Sequence, residues 1–227
     1  MPTIRGSGLL REVARMPCPD AGFRQRRRFR RDALDLIESE DLLAPAFCHR
    51  IVPLEEPPGG LLRAGGETLE ASRLLPASGH LTAVAAAVCT LGAALEQRIS
   101  ALFAERRISL ALALDQLGNE LLFALSRRAQ DRIVAETHKR QLTAAGELRA
   151  GDPGLPLAAQ AAIHRLAGAE AIGVGLTPGQ VLQPLKSMSM LLGIGIDLPP
   201  ARWSRCDDCP SAPKCRMSGR VLSAAPI

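Results

Sequence analysis

The chain has 227 residues, 47% of them hydrophobic and 22% charged, which is enough for one substantial core and excludes wholesale disorder. Its net charge of +5 is local: six arginines lie between positions 24 and 31, and without them the remainder sums to −1. No apolar run exceeds seven residues, against the about 20 a membrane helix needs, and no apolar stretch follows the N-terminus, so a cytoplasmic chain is expected.

Residues 1–22 carry glycine, proline and scattered arginine and read as a loose arm. Leu34, Ile37 and Leu42 then mark one helical face, which predicts a helix over 24–43. Its basic start and acidic end oppose the helix dipole. Residues 46–54 read as a strand, ended by Glu55-Glu56-Pro57-Pro58-Gly59-Gly60. A second short strand is expected at 61–64, and at most a short helix at 68–75, stopped by Pro76. The apolar stretch 81–90, between Gly79 and Gly92, fits a buried strand.

Two helices follow. Leu95, Ile99, Leu102 and Phe103 recur at helical spacing in 93–106. Ser109 is placed to cap a longer helix whose stripe is Leu110, Leu114, Leu117, Leu121 and Leu125, with Ile133 beyond. The charged stretch 127–140 is expected to project into solvent. After a loop at 151–156, residues 157–166 read as a helix, and 171–176 and 181–183 as strands joined by the turn Thr177-Pro178-Gly179-Gln180. A last apolar strand is expected at 188–196, before Pro199-Pro200. The sum is an α+β fold, with long central helices packed on a mixed or antiparallel sheet and a short cysteine-rich C-terminal tail. The expected organisation is a basic arm and helix (1–44), the α+β domain (45–200) and the tail (201–227).

Cys206, Cys209 and Cys215 form C-x2-C-x5-C in that tail. Thiolates at this spacing can converge on one zinc ion or iron–sulfur cluster. Cys18 or Cys48 would supply a fourth ligand, or one position stays open. A disulfide or free thiols is the alternative, disfavoured in a reducing compartment. Cys89 reads as a packing residue. Cys48 and His49 are strand neighbours that point to opposite faces, which argues against a catalytic pair. Gly173-x-Gly175 and Gly193-x-Gly195 do not extend to a phosphate-binding loop and read as close backbone packing. His49, His80, His138 and His164 have no metal-ligand spacing to one another. The arginine run reads as a solvated helix face ahead of a site for nucleic acid, lipid or an acidic protein. With no tyrosine, one tryptophan and five phenylalanines, there is little aromatic surface to stack bases, and nucleic acid is not the expected partner.

The stretch 151–216, with Arg149 just ahead of it, resembles the activation domain of vitamin B12-dependent methionine synthase. That family carries L-T-E-S, then a proline, then S-V-S-G. Here Leu176-Thr177 is followed by Pro184, Ser187 and Ser189 at the same spacing. Arg149 and Pro153-Gly154 resemble the arginine and P-G of its R-x-x-x-G-Y element, which binds S-adenosylmethionine. The chain is more similar still to short, stand-alone relatives associated with corrinoid methyltransferases. These look like Thr90-Leu91-Gly92, then Asp115-Gln116-Leu117-Gly118 on a second helix, Ile172-Gly173-Val174, Lys186-Ser187 and a C-terminal trio of cysteines. The similarity covers about residues 45–216.

The resemblance implies a reactivation factor or accessory protein for a corrinoid-dependent methyltransferase. It would act in trans on a corrinoid-binding protein, supporting reduction and S-adenosylmethionine-dependent remethylation of an oxidised cobalamin. Arg149, Pro153 and Gly154 would lie near S-adenosylmethionine. Leu176, Thr177, Lys186, Ser187 and Ser189 would belong to the cofactor-binding surface that meets the corrinoid. Alternating polarity along a strand accounts equally well for Ser187 and Ser189. Leu155 stands where the family has tyrosine, and Pro178-Gly179 where it has E-S. Those differences favour the alternative, a non-catalytic corrinoid-protein docking module with a structural metal site.

Overall fold

The computed structural model describes residues 5–16 and 24–199. Four strands form an antiparallel sheet: β1 (Ala46–Pro53), β4 (His80–Thr90), β5 (Thr143–Leu148) and β8 (Ser187–Ile196), in the order β1-β4-β8-β5. β4 and β8 are the central pair and carry the apolar runs seen in the sequence. β4 alternates between two buried faces: Ala83, Ala85, Ala87 and Cys89 enter one core, and Val84, Ala86 and Val88 the other. The close packing expected of the β8 glycines is observed. A side chain at Gly195 would place its Cβ 2.0 Å from the His80 carbonyl oxygen.

The first core lies between the sheet and α4 (Ile108–Lys139), whose stripe Leu114, Leu117, Leu121, Leu125 and Ile133 is fully buried. α1 (Gly6–Ala14), α2 (Arg24–Ser39) and α3 (Ala94–Ala104) pack around α4. By length and composition α4 could cross a membrane, but it is a core helix, with 56% of its most apolar stretch buried inside the fold. The second core lies on the opposite face, under α5 (Ala159–Ala167), a hairpin of β2 (Leu62–Ala64) and β3 (Glu67–Leu69), and a smaller hairpin of β6 (Gly175–Leu176) and β7 (Leu182–Gln183).

Several expectations are corrected. The loose arm contains α1, which buries Leu9, Leu10 and Val13 in the first core. The short helix expected at 68–75 divides into β3 and a 3-10 turn, Ser72–Leu74, because Gly65 and Gly66, at φ 58° and 76°, close a two-residue hairpin there. Ser109 does not cap α4. The chain leaves α3 through Arg106 at φ 58°, with the Arg107 N–H on the Leu102 carbonyl, so α4 starts at Ile108. The far end of α4 keeps a buried stripe of Ala129, Ile133 and Thr137 beneath its charged face. Within the predicted strand 171–176, Gly168 and Gly173, both left-handed, bracket a 3-10 turn over Ala169–Ile172 and leave only β6. The edge strand β5 was not expected at all.

Candidate functional site

The segment after β7 carries the most organised polar contacts. It enters β8 through Pro184, and the Leu185 N–H donates to the Glu96 carboxylate at the start of α3. The Lys186 carbonyl accepts from the Leu91 N–H at 2.9 Å. The Lys186 stem crosses α4 at Gly118, where a Cβ would sit 3.2 Å from its Cε. Its ammonium donates to Asp115 Oδ1 and Asn119 Oδ1, each at 2.7 Å, and more weakly to the Asp115 carbonyl at 3.4 Å. Asp115 and Asn119 are four residues apart and so share one α4 face.

Strand alternation sends the two serines to the other face of the sheet. Ser187 Oγ lies 2.8 Å from Thr90 Oγ1, which in turn accepts the Gly92 N–H. Ser189 donates to Gln160 Oε1 on α5 at 2.6 Å, and both are buried.

Phe123 lies one turn beyond Asn119 on α4, and the Arg149 guanidinium sits over its ring, 5.1 Å from the centroid. Arg149 follows β5 and pairs with Glu147 through Nε and Nη2, at 2.9 and 2.8 Å. The other Glu147 oxygen accepts from Gln130 Nε2 at 2.6 Å. Asp152 Oδ2 takes the Arg149 N–H and shapes the turn into Pro153-Gly154. Gly154 has φ 84° and faces the Arg73 stem. Leu155 is fully buried in the second core.

Thr177 closes the β6–β7 turn. Its Oγ1 accepts the Val181 N–H at 3.0 Å, and Leu176 pairs with Leu182 across the hairpin. Apart from Pro153 and Gly154, in the turn that follows Arg149, the predicted residues thus form three groups. Lys186 and Arg149 lie along one α4 face, Ser187 and Ser189 lie across the sheet, and Leu176 with Thr177 lies in the small hairpin.

No family model matches the sequence, and no curated protein matches it. Among solved structures, one of the MetH reactivation domain bound to AdoHcy superposes with a TM-score of 0.60 at 14% identity, covering 86% of this chain and 71% of that one. The chain has the fold of the MetH reactivation domain.

On this reactivation-domain fold, Arg149 and Lys186, the residues expected from the sequence, are held by groups that sequence reasoning did not assign to them. Glu147 was legible as the same-face neighbour of Arg149 in a strand, had β5 been recognised. Gln160, Glu96 and Phe123 carried no signal of their own. Cys206, Cys209, Cys215 and Cys18 lie outside the described residues. Among the described residues no group of three or more potential ligands could hold a metal. Cys48 is buried, and desolvation pushes its thiol pKa up. Cys89 is fully buried and its pKa is pushed up to about 12, again by desolvation, as befits a packing residue. His49 points away from Cys48 and binds Glu136 on α4 at 2.9 Å. Five of the six run arginines are exposed. Arg30 turns inward and meets the buried Glu120 at 2.8 Å.

Proposed function

We infer that this chain is a cytoplasmic accessory protein that returns an oxidised corrinoid, carried by a separate corrinoid-dependent methyltransferase or its corrinoid-binding protein, to its active state. The fold over 86% of the chain supports this reading. The observation that carries it to a site is the Glu147–Arg149 pair beside Phe123. The amino-acid end of an S-adenosyl ligand presents a carboxylate and an ammonium. A guanidinium and a carboxylate side by side are complementary to that zwitterion. Arg149 would bind the carboxylate and Glu147 the ammonium, with Gln130 keeping Glu147 oriented and the Pro153-Gly154 backbone bordering the ligand. When bound, S-adenosylmethionine supplies the methyl group that traps the corrinoid after one-electron reduction.

Lys186 acts indirectly, by fixing the start of β8 against α4. Leu176, Thr177 and Ser187 are assigned to the edge facing the corrinoid protein, whereas Ser189, expected on that surface, is buried against Gln160 and serves the packing of α5 on the sheet. The electron, supplied by an external one-electron reductant, is proposed to pass through an iron–sulfur cluster that Cys206, Cys209 and Cys215 would hold. A zinc ion there would be structural instead. That assignment rests on cysteine spacing, and metal and sulfide analysis after anaerobic purification tests it.

One observation favours the docking reading. Leu155, at the family's tyrosine position, faces the core and offers a ligand neither ring nor hydroxyl. Calorimetry separates the two. Under the reactivation reading S-adenosylmethionine and AdoHcy release heat with the wild-type chain, and Arg149→Ala weakens both at least tenfold. No heat at millimolar ligand, with corrinoid-protein binding intact, establishes a docking module.

A further inference from the structure

The arginine run has a geometry that the sequence alone did not resolve. In α2, Arg24, Arg27, Arg28 and Arg31 follow the spacing i, i+3, i+4, i+7, and all four are exposed. They form one stripe about 10 Å long. The opposite face of α2 is the packed one, with Ala33 and Ile37 buried and Arg30 on Glu120. Among the described residues, the one ion pair of the stripe is Arg28 with Asp32, at 3.9 Å and largely exposed, a contact worth little.

The stripe opposes the stability of its own helix. Arg24 with Arg28, and Arg27 with Arg31, place like charges one turn apart. Arg24 and Arg27 also lie in the first turn of α2, at the positive end of the helix dipole. Local folding therefore gives no reason for these arginines, whereas Arg30 has one. A short dense cationic patch on an otherwise nearly neutral molecule has the form of an electrostatic docking face.

We propose that this α2 stripe is the docking face for an acidic surface on the partner protein. The partner is the corrinoid protein, so the proposal rests on the function inferred above. A protein surface fits better than nucleic acid. The patch is four arginines over about two helical turns, and without them the chain sums to only +1, so no wider cationic surface is added to track a long phosphate backbone. Steering of this kind acts mainly on the association rate and fades with salt.

The test uses the full chain and the cob(II)alamin-loaded corrinoid protein of the same organism's methyltransferase. Association and dissociation rates are measured at about 50 and about 200 mM salt. Replacing Arg24, Arg27, Arg28 and Arg31 together by glutamine should slow association about tenfold or more at low salt, with dissociation changed far less. The two proteins should converge at high salt. Changing the same four residues to lysine keeps the charge and should keep the wild-type rate. The glutamine variant should melt no lower than wild type.

Equal association rates for wild type and glutamine variant would overturn the stripe while leaving the proposed function standing. A lower melting temperature would show that the arginines serve the fold, with the same consequence. Failure of the wild-type chain to bind the corrinoid protein would overturn both readings. Stripe-dependent binding of duplex DNA or anionic vesicles in place of the corrinoid protein would show that the occupant is wrong.

Discussion

Lys186 illustrates how position and role separate at a single residue. Its motif places it beside Ser187, on a surface expected to meet a cofactor. In the fold its ammonium lies against α4, with Asp115 and Asn119 as partners and its side chain 11% exposed. It therefore works as a staple between strand and helix. Lys186→Met keeps the stem and removes those bonds. A charged hydrogen-bonded group of this kind contributes about 1.5–3 kcal/mol, and the 45% exposure of Asp115 puts the expected loss at the low end. Urea unfolding with an unchanged m-value would register it. Glu67 gives a cleaner electrostatic case, because its partner does not titrate. Arg165 donates to both of its oxygens, at 2.5 and 2.8 Å, and this hydrogen bonding holds the Glu67 carboxyl below its usual range. A depressed carboxylate stabilises the fold above its unfolded value and loses that contribution as pH falls through the folded one. Wild type should thus exceed Glu67→Gln in stability by a constant margin at neutral pH. The margin should shrink on acidification below about pH 4.5, followed by melting temperature against pH.

At the scale of elements, the α2–α4 contact is set by one ion pair inside an apolar seam. Arg30 and Glu120 are 14% and 5% exposed, and Arg30 also donates to the Val13 carbonyl at the end of α1. Removing one partner strands a buried charge. Arg30→Met should cost about 3–5 kcal/mol, and combining it with Glu120→Leu should restore most of that. A double-mutant cycle by denaturant unfolding measures both. Helices and strands with a strong period were legible in the sequence: α2, α3, α4, α5, β1, β4 and β8. The short strands β2 and β7 and the β6–β7 turn were legible too, whereas α1, β3 and β5 were not. β5 reads Thr-Ala-Ala-Gly-Glu-Leu, with no alternation of polarity and a left-handed Gly146 that interrupts its register with β8. β3 pairs with the expected strand β2 through Gly65-Gly66, a two-residue turn signal that places a strand, not a helix, after it. α1 has only nine residues, and its burial of Leu9, Leu10 and Val13 is decided by α4, far along the chain. The candidate site was legible as residues in order. What each one touches depends on pairings between β5, β8 and α4 that no local pattern encodes.

For the molecule as a whole, the sheet divides two cores of different make. One is built on long helices, the other on short hairpins and α5. The N-terminal segment belongs to the first. Leu9, Leu10 and Val13 are buried there, and each large side chain so placed contributes about 1.5–3 kcal/mol. Arg128 further ties α1 to α4 through Glu12 at 2.6 Å. Deleting residues 1–16 should therefore lower stability by more than any one core substitution in α1. Hydrogen exchange in the middle of α4 should rise with it.

The alanines of β4 carry a last consequence. Ala85 and Ala87 meet the α4 side, and Ala86, between them, meets the α5 side. With only methyl groups as spacers, the two layers are held near their closest approach. The strand behaves as a thin membrane between two chambers. A methylene added on either side has no slack to enter, so it must displace the strand toward the opposite face. A disturbance at the Ser189–Gln160 side would then be felt at Arg149 and Lys186 without any polar link between them.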